Sequence, residues 1–283
     1  MNDALHTWQE NAQHWTRHSD TIHAMFLPLT RALIERAGIR EGQSVLDVAG
    51  GAGEPSLTIA ETVGPTGAVM CTDAVLGMVE AAQREAERRG LKNMEFRQCS
   101  AEALPFAENS FDVVVSRLGI MFFADPVAAV REMLRVVKPN GALAIAVWGK
   151  SEINPFCYLI TGVVDRHVKG AVVDPDAPNA FRFAETGKLS GVLTEAGASD
   201  VDESVFSFNI EAPLSPLQFW ALRSQTSDTL REKLARLPAT EQTQIASEVE
   251  QAVKEYFPGN QMKFPTQMII ATGKKAAVDA ATD

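Results

Sequence analysis

The chain has 283 residues, 46% hydrophobic and 22% charged, with a formal net charge of −10. That composition is globular, and the acidic balance argues against a nucleic-acid backbone or an anionic membrane surface as the main partner. No apolar run is long enough to span a bilayer, and the opening MNDALHTWQENAQHW lacks the basic and apolar regions of a secretory signal, so a cytoplasmic location is expected.

Residues 3–40 read as helical, with Trp8, Ala12, Trp15 and Ser19 on one face. A second helix is predicted from Pro28 to Ala37, stopped by Gly38. From Gln43 onward short apolar runs alternate with amphipathic segments. Strands are predicted at 44–49, 68–73, 94–100, 111–118 and 142–149, with helices at 54–63, 75–89 and 126–137 between them. The strands are near-continuous apolar runs, as in a parallel sheet buried on both faces. This order predicts an open, doubly wound α/β sheet. RVVKPNGAL ends a helix at Val137 and turns through Lys138-Pro139-Asn140-Gly141, with Asn-Gly supplying positive φ angles. Further on, 154–170 reads as a helix and 174–180 as a loop. FAETGKLSGVLTEAGA reads as a helix ending at Gly197, 201–212 as a strand, 215–256 as helix split near Pro238, and 264–273 as a last strand. The tail KKAAVDAATD is expected to fray. Cys71, Cys99 and Cys157 are odd in number and far apart, which fits a reducing compartment and buried, inert thiols.

In an open α/β sheet the ligand sits outside the carboxyl ends of the strands, so the turn in VLDVAGGAGEPS should floor the site. A dinucleotide fingerprint asks for a third glycine where Ser56 stands. Asp73 closes the second strand and can accept both hydroxyls of a ribose. Taken in order, VLDVAGGAG, VMCTDAVLGMVEAA, CSAEALPFAENSFDVVVS and REMLRVVKPNGALAI resemble class I S-adenosylmethionine-dependent methyltransferases. The likeness is closest to the group that includes the ubiquinone and menaquinone C-methyltransferases. It spans about 41–150 and extends weakly beyond.

The resemblance implies a seven-stranded, mostly parallel Rossmann-like sheet and S-adenosyl-L-methionine as cofactor. That cofactor has no pyrophosphate, so the third glycine is not required. Ala49, Gly50, Gly51 and Gly53 would form the loop beside the methionyl part. Asp73 would hold the ribose next to Ala74. Met78 would lie against the adenine, with Ser100, Ala101 and Glu102 at its edge. Arg117 is a candidate for the cofactor's carboxylate or the substrate, or for pairing with an acidic neighbour, and Trp15 for a lid or a core anchor. Ala49 departs from the family's first glycine, Ser100 from its adenine-binding acid and Val75 from a capping serine.

For the acceptor, Met121, Phe122 and Phe123 follow the fourth strand, Trp148 ends the fifth, and Phe156, Phe219 and Trp220 come from later segments. Such a set predicts an apolar, aromatic-rich pocket for a small molecule. No general base stands out. His14 and His18 lie at i, i+4, but with no third ligand evident they read as helix-surface histidines, and no metal is expected. Three segments are expected: a helical cap at 1–40, a cofactor-binding core at 41–150, and the rest of the sheet with cap insertions at 151–283. The expected activity is O- or C-methylation of an apolar or aromatic metabolite. The alternatives are a cofactor-binding protein without transfer and, disfavoured by Ser56, a nicotinamide oxidoreductase. The sequence leaves the oligomeric state open, a homodimer included.

Overall fold

A computed structural model describes residues 14–168 and 176–277. One sheet of seven strands organises the chain, in the order β3-β2-β1-β4-β5-β7-β6. The strands are β1 (Ser44–Val48), β2 (Ala68–Asp73), β3 (Met94–Gln98), β4 (Phe111–Arg117), β5 (Val137–Trp148), β6 (Ser199–Ala212) and β7 (Met262–Lys274). The first five are parallel, whereas β7 runs antiparallel to both β5 and β6. Sequence pattern sets strand position. Central β1 and β4 are buried almost throughout, as their unbroken apolar runs require, whereas edge strands β3 and β6 alternate exposed and covered residues.

Helices α1 (Ser19–Ala37), α2 (Ser56–Val63), α3 (Leu76–Arg89), α4 (Pro126–Val136) and α5 (Pro155–His167) accompany the parallel half. The structure corrects the expected break at Pro28, because α1 runs straight through it. Interior proline costs about 3 kcal/mol. Here its ring is on the exposed side, while Ile22, Met25, Phe26, Leu29 and Leu33 form a buried stripe opposite. Each such side chain contributes about 1.5–3 kcal/mol on burial, so the stripe wins. Trp8 and Ala12 lie outside the described residues. At the entry to β5, Asn140 alone takes the left-handed conformation, with φ +61°. Gly141 is needed for space instead, since a Cβ there would come 2.7 Å from the Asp112 carbonyl.

The second half comprises α6 (Lys188–Ala196), α7 (Pro216–Thr226), α8 (Asp228–Leu234) and α9 (Ala239–Val253). The region expected as one helix split near Pro238 is divided at Ser227 as well; α7 has a capping box on Ser215 and Gln218. Strand register fixes where this insertion emerges. Trp148 at the end of β5 pairs with Met268, whereas Ala212 at the end of β6 pairs with Met262. The β6–β7 ribbon therefore continues past the carboxyl edge of β5 by roughly 20 Å at the usual strand rise. The segment carrying α7, α8 and α9 springs from its far end, on the same edge as the glycine-rich turn.

Candidate active site

Strand order reverses at β1, which has β2 on one side and β4 on the other. Crevices at such switch points receive ligands. The turn after β1 enters it with Ala49 at φ +60°, Gly51 at +56° and Gly53 at +119°. Gly50 donates its N–H to the Thr72 carbonyl at 2.9 Å. Pro55 caps α2, following a cis Glu54–Pro55 peptide.

Asp73 governs the turn's shape. Its carboxylate accepts the Gly51 N–H at 3.0 Å and the Val75 N–H at 2.9 Å, binding the loop after β1 to the start of α3. Burial raises its pKa, and these backbone donors act in the opposite direction. Ala74 follows it, its carbonyl accepting from the Gln98 side chain at 3.0 Å. Met78 is buried with Val75, and Ala52 and Trp15 pack against the pair. Trp15, the expected lid residue, thus packs against the start of α3 beside the turn. Ser100 donates to Glu102 in a short hydrogen bond. Glu102 in turn accepts the Ala124 N–H at 3.1 Å, tying the loop after β3 to the one after β4; Ala101 is buried between them.

Beneath the turn lies an electrostatic node that sequence reading missed. Asp47, wholly buried in β1, accepts Ser56 Oγ at 2.6 Å and the Ser56 N–H at 3.1 Å, while its Oδ1 has no hydrogen-bond partner. Burial pushes its pKa up to about 7 against the opposing Ser56 bonds and the nearby Arg117 charge. The signal was one acid inside an apolar strand. Arg117, from the end of β4, donates to Thr30 Oγ1 at 2.7 Å and to the Glu54 carbonyl at 3.0 Å, and its guanidinium stands 5.9 Å from the Phe26 ring centre. Burial raises the pKa of Glu54, but His23, Arg117 and Thr58 outweigh it, so the acid lies below the usual range.

The Asp47 shift has a defined sign. A carboxyl whose folded pKa exceeds its unfolded value favours the fold fully below about pH 4, and the contribution is lost as pH rises through about 7. The stability of the natural chain relative to Asp47→Asn should accordingly fall by roughly 2–3 kcal/mol between pH 5 and 8. Denaturant unfolding of both proteins across that range checks this; a pH-independent difference would exclude Asp47 as the titrating group.

Ala49 holds a left-handed conformation that disfavours side chains by about 1–2 kcal/mol. Gly119 lies against it, since a Cβ there would come 2.6 Å from that of Ala49. Ala49→Gly should raise stability by about 0.5–1 kcal/mol, the released strain being partly offset by unfolded-chain entropy. Gly119→Ala should lower it by about 1–3 kcal/mol, and by less in the double variant. Thermal unfolding of the four proteins reads the coupling.

The aromatic residues divide between surface and core. Trp148, 8% exposed, meets Phe26 edge-on at 5.9 Å and stacks on Phe156 at 6.0 Å. Phe156 continues into a cluster with Phe219 and Phe264. Phe219 is completely buried and Phe156 and Met121 nearly so; they back the aromatic wall rather than present an open face. Phe122 is 38% exposed on a short 3-10 turn, Ile120–Phe122. Trp220 is buried. His14 and His18, expected on the surface, are half-buried, and His18 Nε2 lies 3.0 Å from Gln225 Oε1, joining the N-terminal segment to α7. Among the described residues no three His, Cys, Asp or Glu side chains form a metal-binding group, and no helix is long and apolar enough to cross a membrane.

Comparison with known proteins decides the family. The profile of the ubiE/COQ5 methyltransferase family matches residues 19–160. The chain belongs to that family. A ubiquinone/menaquinone biosynthesis C-methyltransferase UbiE from Klebsiella pneumoniae is 33% identical over 192 residues, 64% of this chain and 75% of the relative. Another UbiE, from Hahella chejuensis, is 40% identical over 172 residues, 59% of this chain and 68% of the relative. Among solved structures, YcgJ from Bacillus subtilis aligns with a TM-score of 0.55 at 21% identity, covering 90% of this chain and 99% of that one. This methyltransferase therefore uses S-adenosyl-L-methionine, and its matched region includes the glycine turn, Asp73 and β5. The turn fits the group: positive-φ positions bring backbone close, and a carboxylate stands at the end of β2.

Proposed function

We propose that this methyltransferase transfers a methyl group to a small, largely apolar aromatic acceptor, at an electron-rich ring carbon or a phenol oxygen. The observation that carries this reading is the aromatic pair Phe26–Trp148, backed by Phe156, which adjoins Arg117 and hence the glycine turn. The UbiE relatives are named for C-methylation in ubiquinone and menaquinone biosynthesis, which supports the ring-carbon choice.

In this reading Asp73 holds the ribose, with Ala49, Gly50, Gly51 and Gly53 along the methionyl side. Ala74, Met78, Ser100, Ala101 and Glu102 surround the adenine. Arg117 serves the methionyl carboxylate, and Trp15 closes the chamber. Met121, Phe122 and Trp148 border the acceptor, with Phe156 and Phe219 supporting them from the core. Residues 1–40 and 151–258 act as caps over the 41–150 core, the last strands completing the sheet.

The cofactor supplies an electrophilic methyl on a sulfonium and leaves as neutral S-adenosylhomocysteine. The chain's own residues align the ring and exclude water, and the acceptor loses one proton overall. A ring carbon activated by its own hydroxyl needs little help from a base, which suits a site without an obvious one.

Transfer of labelled methyl to a panel of phenols and hydroquinones tests the reading. Phe122→Ala should lower kcat/KM for the best acceptor while S-adenosylhomocysteine affinity stays within a few-fold. A highly charged metabolite, peptide or RNA as best substrate would sink the acceptor class and leave the methyltransferase assignment intact.

A further inference from the structure

Arg223, in the last turn of α7, is a half-buried cation that meets no acceptor among the described residues. Its guanidinium stacks over the Phe156 ring, 4.6 Å from the centre. Its Nε is buried without a hydrogen-bond partner. The side chain as a whole is half-buried, so part of its surface stays open. The group that acts on it electrostatically is the Cys157 thiol, and burial holds that thiol's pKa at about 11, leaving it neutral. Other covered arginines differ. Arg89 pairs with Glu54 and Glu85, Arg135 with Glu132 and two carbonyls, and Arg117 reaches Thr30 and the Glu54 carbonyl. The carbonyl end of α7 favours a positive charge but is a diffuse half-charge and no substitute for a paired oxygen. Leaving a buried guanidinium unmatched is strongly unfavourable, and an oxyanion held in its fork removes that penalty.

Phe156 stacks on Trp148, so this cation stands at the far end of the aromatic wall from the glycine turn. We propose that Arg223 is a specificity-determining residue that binds an oxyanion, a carboxylate or an ionised phenol, carried by the aromatic acceptor. The inference rests on the aromatic-acceptor reading above and adds a charge to it. The ring lies along Trp148, with Phe156 behind it in the core, and its anionic substituent meets the guanidinium. An otherwise apolar wall then selects acidic aromatics over neutral ones of the same shape, because only they satisfy Arg223.

Calorimetry on the full chain saturated with S-adenosylhomocysteine tests this, with benzoate, benzyl alcohol and acetate as probes. Benzoate should bind at least tenfold more tightly than benzyl alcohol. Arg223→Met should bring the two within twofold, and Arg223→Lys should keep at least a threefold preference. S-adenosylhomocysteine affinity should stay within twofold in both variants. The Tm of Arg223→Met should not fall below that of the natural chain, since replacing an unmatched buried charge by an apolar side chain is neutral or stabilising; a structural role for Arg223 would lower it. No preference for benzoate in the natural chain, whether both probes bind alike or neither binds, overturns the proposal, as does a preference that survives in Arg223→Met. Should acetate bind as well as benzoate, with Arg223 required for both, the oxyanion site stands and the aromatic reading falls. Benzyl alcohol bound as tightly as benzoate gives the reverse result.

Discussion

Asp73→Ala is expected to weaken S-adenosylhomocysteine binding by about 1.5–3 kcal/mol, the scale of hydrogen bonds to a charged group. Two effects combine in that figure. In the proposed role, the carboxylate supplies acceptors for the ribose. It also accepts the Gly51 and Val75 N–H groups, so its removal releases the turn that the methionyl part would touch. Asp73→Asn separates the two, because an amide oxygen still accepts one backbone bond while the charge is gone. Its affinity should fall between the natural chain and Asp73→Ala. Titration calorimetry measures all three, and unchanged affinity in a folded Asp73→Ala protein would remove this residue from the site.

Arg117→Met should lower unfolding free energy by about 3–5 kcal/mol, the range seen when one partner of a buried charge network is removed. The guanidinium links β4 to α1 through Thr30 and to the glycine turn through the Glu54 carbonyl. It also stabilises the ionised form of Asp47. Without it, the Asp47 pKa should climb above about 7 and its pH-dependent loss of stability should move to higher pH. Denaturant unfolding from pH 5 to 9 reads both consequences at once. Arg117→Lys should restore part of the charge effect but not the two-pronged bonding. A Met variant as stable as the natural chain would show that Arg117 does not hold the turn and helix together.

Much of this architecture was readable from the chain. The apolar runs at 44–48 and 111–117 could only be strands covered on both faces, and they form the centre of the sheet. The glycine turn and Asp73 come together as their order along the sequence implied. What escaped was tertiary in origin. Pro28 looks like a helix break until one sees that its ring faces outward while Phe26 and Leu29 anchor the opposite side. Asp47 and Arg223 look like ordinary charges, and their importance comes from burial, which no local pattern encodes. Phe219 is as aromatic as Trp148, but which of them backs the wall and which forms it depends on helices far apart in sequence.

The ribbon formed by β6 and β7 has a consequence for engineering. The chain leaves it at Ala212 and rejoins it at Met262, and these two residues are direct partners in the register. Everything between them, including Phe219 and Arg223, is joined to the ribbon covalently only at this pair of ends, although it also packs on Phe156 and reaches His18, and its exchange would leave the strands that carry the glycine turn and Asp73 untouched. Grafting 213–261 from a relative onto this chain would therefore test whether that segment sets acceptor preference, while the cofactor half keeps its own covalent and hydrogen-bonded frame. The surgery needs two junctions, already held side by side.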